Sequence, residues 1–98
     1  MYVNIIDSYR KVIAICDSEL IGKRFEEGIC QLDVKESFFK GEEKTEQETL
    51  DIMIDMKKED ATFNIMGDKS VALAVQAGIV AEENVGKIAG ISYTLILL

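Results

Sequence analysis

The stretch NIMGDKSVALAVQAG, residues 64–78, holds the residue types in this chain best suited to gripping an anion. The first turn of a helix presents unpaired N–H groups and a positive partial charge, and a glycine just before it admits a phosphate or carboxylate to close range. Here Gly67 precedes an alanine-rich run, while Lys69 and Ser70 add a charge and a hydroxyl. With Asn64 on the strand leading in, Asn64, Gly67, Lys69 and Ser70 are the candidate anion- or partner-binding residues. The spacing is not that of the nucleotide-binding P-loop, because an earlier second glycine is missing and an aspartate separates glycine from lysine in GDKS. The same residues also read as an ordinary helix start, with Asp68 as an N-cap whose carboxylate would take the N–H groups an anion needs.

Other chemistry is sparse. The chain has no histidine, so a serine or cysteine nucleophile would have to rely on Lys69, Lys87 or an acid as its base. Cys16 and Cys30 stand in apolar surroundings without Cys-x-x-Cys spacing, which reads as two buried thiols in a reducing compartment; a tetrahedral zinc site would need carboxylates to complete it. No metal and no cofactor are expected. The acid pairs at Glu26 and Glu27, Glu42 and Glu43, and Glu82 and Glu83 fall in expected loops, whereas general-acid work needs a desolvated carboxyl. Basic residues beside aromatics occur at Tyr9, Arg10 and Lys11 and at Lys23 and Arg24, and these would form a small basic patch only if both clusters met at one end of the fold.

The formal charge of −7 limits the partners. Most of it lies in residues 36–60, where nine acidic side chains face four basic ones. Such a field repels nucleic-acid backbones and anionic membranes at long range, so RNA or phosphate is a weaker expectation than a protein partner. The plainer reading of the same charge is a solvated acidic helix.

The elements that position these residues follow from periodicity. At 98 residues, with 48% hydrophobic and 30% charged, the chain fits one globular domain spanning residues 1–98. Two β-branched runs, residues 3–6 and 12–16, flank a polar link of hairpin length. DSELIGK offers Asp17 or Ser18 as an N-cap and Gly22 as a stop for one or two helical turns. ICQLDVK alternates, setting Cys30, Leu32 and Val34 on the buried face of a mid-chain strand. Thr45 and Glu48 form a capping box that opens a helix running to about Lys58, with Leu50, Ile52, Met53, Ile54 and Met56 as its apolar face. Residues 62–66 read as a strand, and the helix after Gly67 is apolar on nearly every side, hence buried, with Gly78 as its left-handed cap and Ile79 folding back. VGKIAGISYTLILL gives one or two closing strands broken at Gly90. The sum is an α+β fold: a mixed or mainly antiparallel sheet made of the N-terminal hairpin, the mid-chain strand and the C-terminal strands, packed by two main helices.

MYVNIIDSYRK lacks a basic region ahead of its apolar run, and ISYTLILL is too short to span a bilayer, so a cytoplasmic protein with no membrane contact is expected. Placed at a sheet edge, YTLILL would invite a weak homodimer or a partner strand.

NIMGDKSVALAVQAGIV and ENVGKIAGI, with CDSELIGKRFEEG and LDVKESFFKGE before them, resemble an archaeal family of small proteins catalogued as domain of unknown function 424. The resemblance covers nearly the whole chain and is most specific at Asn64, Gly67, Ser70, Val71, Ala74, Gly78 and Val80. It implies a compact archaeal cytoplasmic domain without an established activity, in the neighbourhood of translation. It also implies a polar tail bearing proline and histidine, where this chain instead ends SYTLILL. The expected function is therefore a non-enzymatic binding or accessory module. A small enzyme with an anion pocket at Gly67 to Ser70, and a structural protein assembling through its last strand, are the alternatives.

Overall fold

The computed structural model describes residues 1–96 of the chain. Tyr2–Ile6 (β1) and Val12–Cys16 (β2) form the expected antiparallel hairpin, in register from Tyr2 opposite Cys16 to Ile6 opposite Val12. A short 3-10 turn, Ser18–Leu20, leads into a second hairpin, Arg24–Glu27 (β3) with Cys30–Asp33 (β4). One turn of helix, Glu36–Phe39 (α1), and a two-residue strand, Glu42–Glu43 (β5), come next. The capping box then opens Glu46–Lys58 (α2) as expected: the Glu48 N–H donates to Thr45 Oγ1 at 3.1 Å, and the Thr45 N–H donates to Glu48 Oε1 at 3.0 Å. This helix carries the chain back to Thr62–Met66 (β6), which pairs parallel with β2 from Val12 opposite Thr62 to Cys16 opposite Met66. Asp68–Gln76 (α3), Gly86–Ile88 (β7) and Ile91–Ile96 (β8) complete the chain, with the last two strands joined through Ala89 and Gly90.

The main sheet runs β5-β1-β2-β6-β8-β7, mixed but mainly antiparallel, and each face is covered. Strand alternation sends Val3, Ile13, Ile15, Phe63 and Ile65 to one side, where they meet Met53 of α2 and Val71, Leu73 and Ala74 of α3. Ala14 and Cys16 point to the other side, beneath Leu20, Val34 and Phe39. The helix α3 ends in a Schellman arrangement: the Ile79 N–H donates to the Ala74 carbonyl at 2.9 Å and the Gly78 N–H to the Val75 carbonyl at 3.0 Å. Gly78 takes φ 76°, the left-handed value that cap requires.

Several expectations need correction. The mid-chain strand is not part of the main sheet; β4 pairs with β3 in a separate two-stranded layer, and β3 and α1 carry no period strong enough to announce them. Cys30 is exposed, although Leu32 and Val34 on the same face are buried, because Cys30 sits beside the hairpin turn, beyond the edge of what it covers. Alternation reports which way a side chain points and says nothing of how far the opposite layer extends. On α2 the buried residues are Thr49 and Met53, while Ile54 is 40% exposed. Nor is α3 covered all round: Ala72 and Gln76 are exposed. The closing strand β8 pairs with β7 over Ile91, Ser92 and Tyr93 and with β6 from Tyr93 to Ile96, so among the described residues Thr94, Leu95 and Ile96 have a strand on one side only, and residues 97 and 98 of YTLILL lie outside them. Among the described residues, no helix is long and apolar enough to cross a membrane.

Candidate functional site

The carboxyl ends of the parallel pair set the site. Cys16 and Met66 are in register, so the residues that follow them, Asp17 and Gly67, leave the sheet side by side. The Asp17 N–H donates to the Met66 carbonyl at 3.1 Å and fixes that junction. Gly67, not Asp68, is the N-cap of α3 and has no side chain to offer. Asp17 supplies one from outside: its Oδ2 accepts from the Lys69 N–H at 3.2 Å, and its Oδ1 accepts from the Ser70 N–H at 2.8 Å and from Ser70 Oγ at 2.6 Å. The anion held at this helix entrance is the protein's own carboxylate, 4% exposed and fully engaged. The local 3-10 turn that follows Asp17 receives no side-chain cap from it, which corrects the reading of DSELIGK as a self-capped turn.

Asp68, freed from capping its own helix, turns outward to the neighbouring strand. Its Oδ1 accepts from the Ser92 N–H at 3.1 Å, and the Ser92 carbonyl accepts from the Gly67 N–H at 2.8 Å. Hydrogen bonding from Ser92 holds the Asp68 carboxyl below its ordinary range, with Lys87 a lesser contributor. Burial pushes the Cys16 thiol up to about 12, with the adjacent Asp17 adding to the effect, so this sulfur stays protonated at neutral pH.

Of the residues singled out by sequence, Gly67 and Ser70 are buried at the junction and Lys69 is exposed beside it. Lys69 shares a small pocket of about 260 Å³ with Lys44, Glu19 and Glu46, where neither sign of charge dominates. Asn64 is half-buried on β6 and, by strand alternation, points to the face opposite Phe63 and Ile65, away from α3. The two basic clusters flank β2 in the chain: residues 9–11 lie in the turn between β1 and β2, ahead of Val12, whereas Lys23 and Arg24 come after its Cys16 end. Arg10 donates to the Asp60 carbonyl at 3.4 Å, and Arg24 is engaged by Glu26 at 3.4 Å and Gln31 at 2.5 Å. Each arginine is thus held within its own neighbourhood.

Sequence reasoning missed the groove on the outer side of α3. It has a volume of about 550 Å³ and lies between the helix and β7–β8, with Val71, Ala72, Val75 and Val85 as apolar lining and Asp68, Glu82 and Lys87 as charged groups. No signal in the sequence marked it: Ala72 reads like the buried alanine of the same helix, Ala74, and only the neighbouring strand shows that it faces a groove.

The sequence matches the family described as "Protein of unknown function (DUF424)" over residues 6–98. The chain belongs to the DUF424 family. The match takes in β8 and the terminal SYTLILL, which are thus within the family's extent. The structure is similar to the crystal structure of an uncharacterized conserved protein from Methanopyrus kandleri, with TM-score 0.86 and 21% identity over 97% of this chain and 88% of that one. The two share a fold. Among proteins with curated descriptions, none matches this DUF424 chain. Among its described residues, no three histidine, cysteine or acidic side chains are grouped to hold a metal ion.

One expected result follows from the Asp17 cap. Inorganic phosphate, nucleotides and a short RNA at low salt should leave the backbone amide shifts of residues 67–71 unmoved, because an external anion would have to displace a buried carboxylate that already fills those donors. Saturable shifts there would reinstate the helix entrance as an anion site.

Proposed function

We propose that this DUF424 protein is a non-enzymatic binding module that meets a protein partner through the groove between α3 and β7–β8. The observation that carries the reading is the groove itself, a solvent-open space of about 550 Å³ whose apolar lining is bordered by Asp68, Glu82 and Lys87. Ala72 is exposed there and Val75 and Val85 are half-buried, so the groove offers the mixture of apolar and polar surface that interaction sites on small domains share. Gly67 and Ser70 serve this surface indirectly, by fixing where α3 starts and hence where Asp68 and Ala72 emerge. The competing enzyme with an anion pocket at Gly67 to Ser70 needs donors that Asp17 engages, and the Cys16 thiol beside it is protonated. Translation is the setting that the family resemblance implies for the partner, and it forms part of the proposal on that ground alone.

The test is amide mapping of labelled protein with a short peptide alternating valine and lysine, alongside its valine and glutamate counterpart. The basic peptide should shift Ala72, Val75, Val85 and Lys87, and the acidic one should leave them in place. Ala72→Arg puts a long side chain into the groove from an exposed helical position, so it should weaken binding about tenfold or more without unfolding the chain. Binding that ignores Ala72→Arg, or that centres elsewhere, overturns the groove as the contact surface.

A further inference from the structure

The strand β7 closes one edge of the six-stranded sheet, and among the described residues no strand pairs with its outer side. Opposed residues in an antiparallel pair alternate between those that exchange both backbone hydrogen bonds and those that exchange none. Ile88 and Ile91 flank the two-residue turn, and Gly86 stands opposite Tyr93, so Lys87 and Ser92 between them form a pair of the open kind. The partners of Ser92 agree, for its carbonyl accepts from Gly67 and its N–H donates to Asp68, both on the side away from β7. The same alternation turns the Lys87 N–H and carbonyl outward from the sheet. The opposite edge is different in kind: β5 is two glutamates long, with Glu42 in a 2.9 Å ion pair with Lys44, a blunted edge.

The groove lies over this same open strand. Val85 and Lys87 border it from the sheet, and Val71, Ala72 and Val75 border it from α3. A strand added beside β7 would send alternate side chains toward that apolar wall. The charges select the rest of the sequence. Asp68 and Glu82 outnumber Lys87 around the groove, and the whole chain carries −7, so the complementary segment alternates aliphatic residues with lysine or arginine. A second copy of this chain fits poorly, since pairing β7 with β7 brings two lysines and two acidic rims together.

We propose that β7 accepts an extended, basic and aliphatic segment of a protein partner as an additional strand, with its backbone bonded to Lys87 and its apolar side chains lying in the groove beside α3. This rests on the binding-module reading and adds to it the mode and chemistry of recognition.

The experiment uses the valine and lysine peptide in three forms: unmodified, and N-methylated on alternate backbone nitrogens along one edge or along the other. Methylation keeps charge and apolar side chains but removes the N–H groups of one edge. Strand addition predicts that one methylated form binds like the parent and the other at least about tenfold more weakly. It also predicts that saturation with the parent slows hydrogen exchange at the Lys87 amide at least about tenfold. Lys87→Pro lacks the outward N–H, a change that sheet edges tolerate, and should cost a similar factor in affinity while the β6 amides keep their positions. Equal binding of all three peptides, with Ala72 and Val75 shifted and Lys87 exchange unchanged, overturns strand addition and leaves the groove reading standing. No shifts in the groove overturn both. Dimers in which Lys87 is protected without peptide also overturn the proposal, because the occupant is then a second copy.

Discussion

Asp17→Ala is expected to lower the stability of this domain by about 4 kcal/mol, read as a fall in the urea midpoint at unchanged m-value. The figure follows from what the carboxylate holds. It accepts the two N–H groups at the second and third positions of α3 and the hydroxyl of Ser70; Asp17 and both Ser70 donors are buried, and the Lys69 N–H is partly so. Loss of an N-cap alone costs about 1–2 kcal/mol, and each buried donor left without a partner adds about 1–3 kcal/mol when water cannot reach it. Against a total of about 5–15 kcal/mol for an ordinary domain, the variant retains little margin. Ser70→Ala is the internal control, removing one donor and leaving the two N–H contacts, and should cost about 1 kcal/mol. A loss of under about 1 kcal/mol for Asp17→Ala would mean that solvent or another side chain replaces the cap, and the helix entrance would then be open to external anions after all.

The same cluster shows what a single sequence can and cannot disclose. The capping box of α2, the β6 strand, the glycine stop after α3 and the break at Gly90 are all local: the residues that make each feature lie within a few positions of one another. Asp17 is not local to its function. It reads as a cap, and it is one, but for a helix 53 residues away from it at Ser70, joined only because β2 and β6 lie parallel and in register. Asp68 fails in the mirror-image way: an aspartate at a helix start satisfies a neighbouring strand at Ser92 because its usual work is already done. The strand β4 was legible from its alternation, but its partner β3 was hidden for a third reason: none of its residues is fully buried, so it shows no apolar period, and the separate two-stranded layer the two form could not be read. The groove beside α3 arises from the juxtaposition of Ala72 with Val85 and Lys87, which no window of sequence contains.

Gly67→Ala should be as damaging as the loss of Asp17, about 4 kcal/mol, for two reasons that can be separated. Gly67 adopts φ 113° and ψ 147°, a backbone region that is essentially closed to residues with a Cβ and costs about 1–3 kcal/mol to impose on them. A Cβ at this position would also stand 2.6 and 2.7 Å from the two oxygens of Asp17, so the methyl group and the capping carboxylate compete for one space. The backbone part persists whatever residue occupies position 17, but the steric part vanishes once the carboxylate is gone. The double variant Gly67→Ala with Asp17→Ala should therefore fall short of the sum of the single losses by about 2 kcal/mol, the signature of two side chains sharing a contact. Additive losses would mean that Asp17 shifts freely out of the way, and the junction between the parallel strands and α3 would be softer than its hydrogen bonds indicate. Because α3 carries Asp68 and Ala72 to the groove, a soft junction would loosen that wall as well, and binding would weaken in Gly67→Ala even where the chain remains folded.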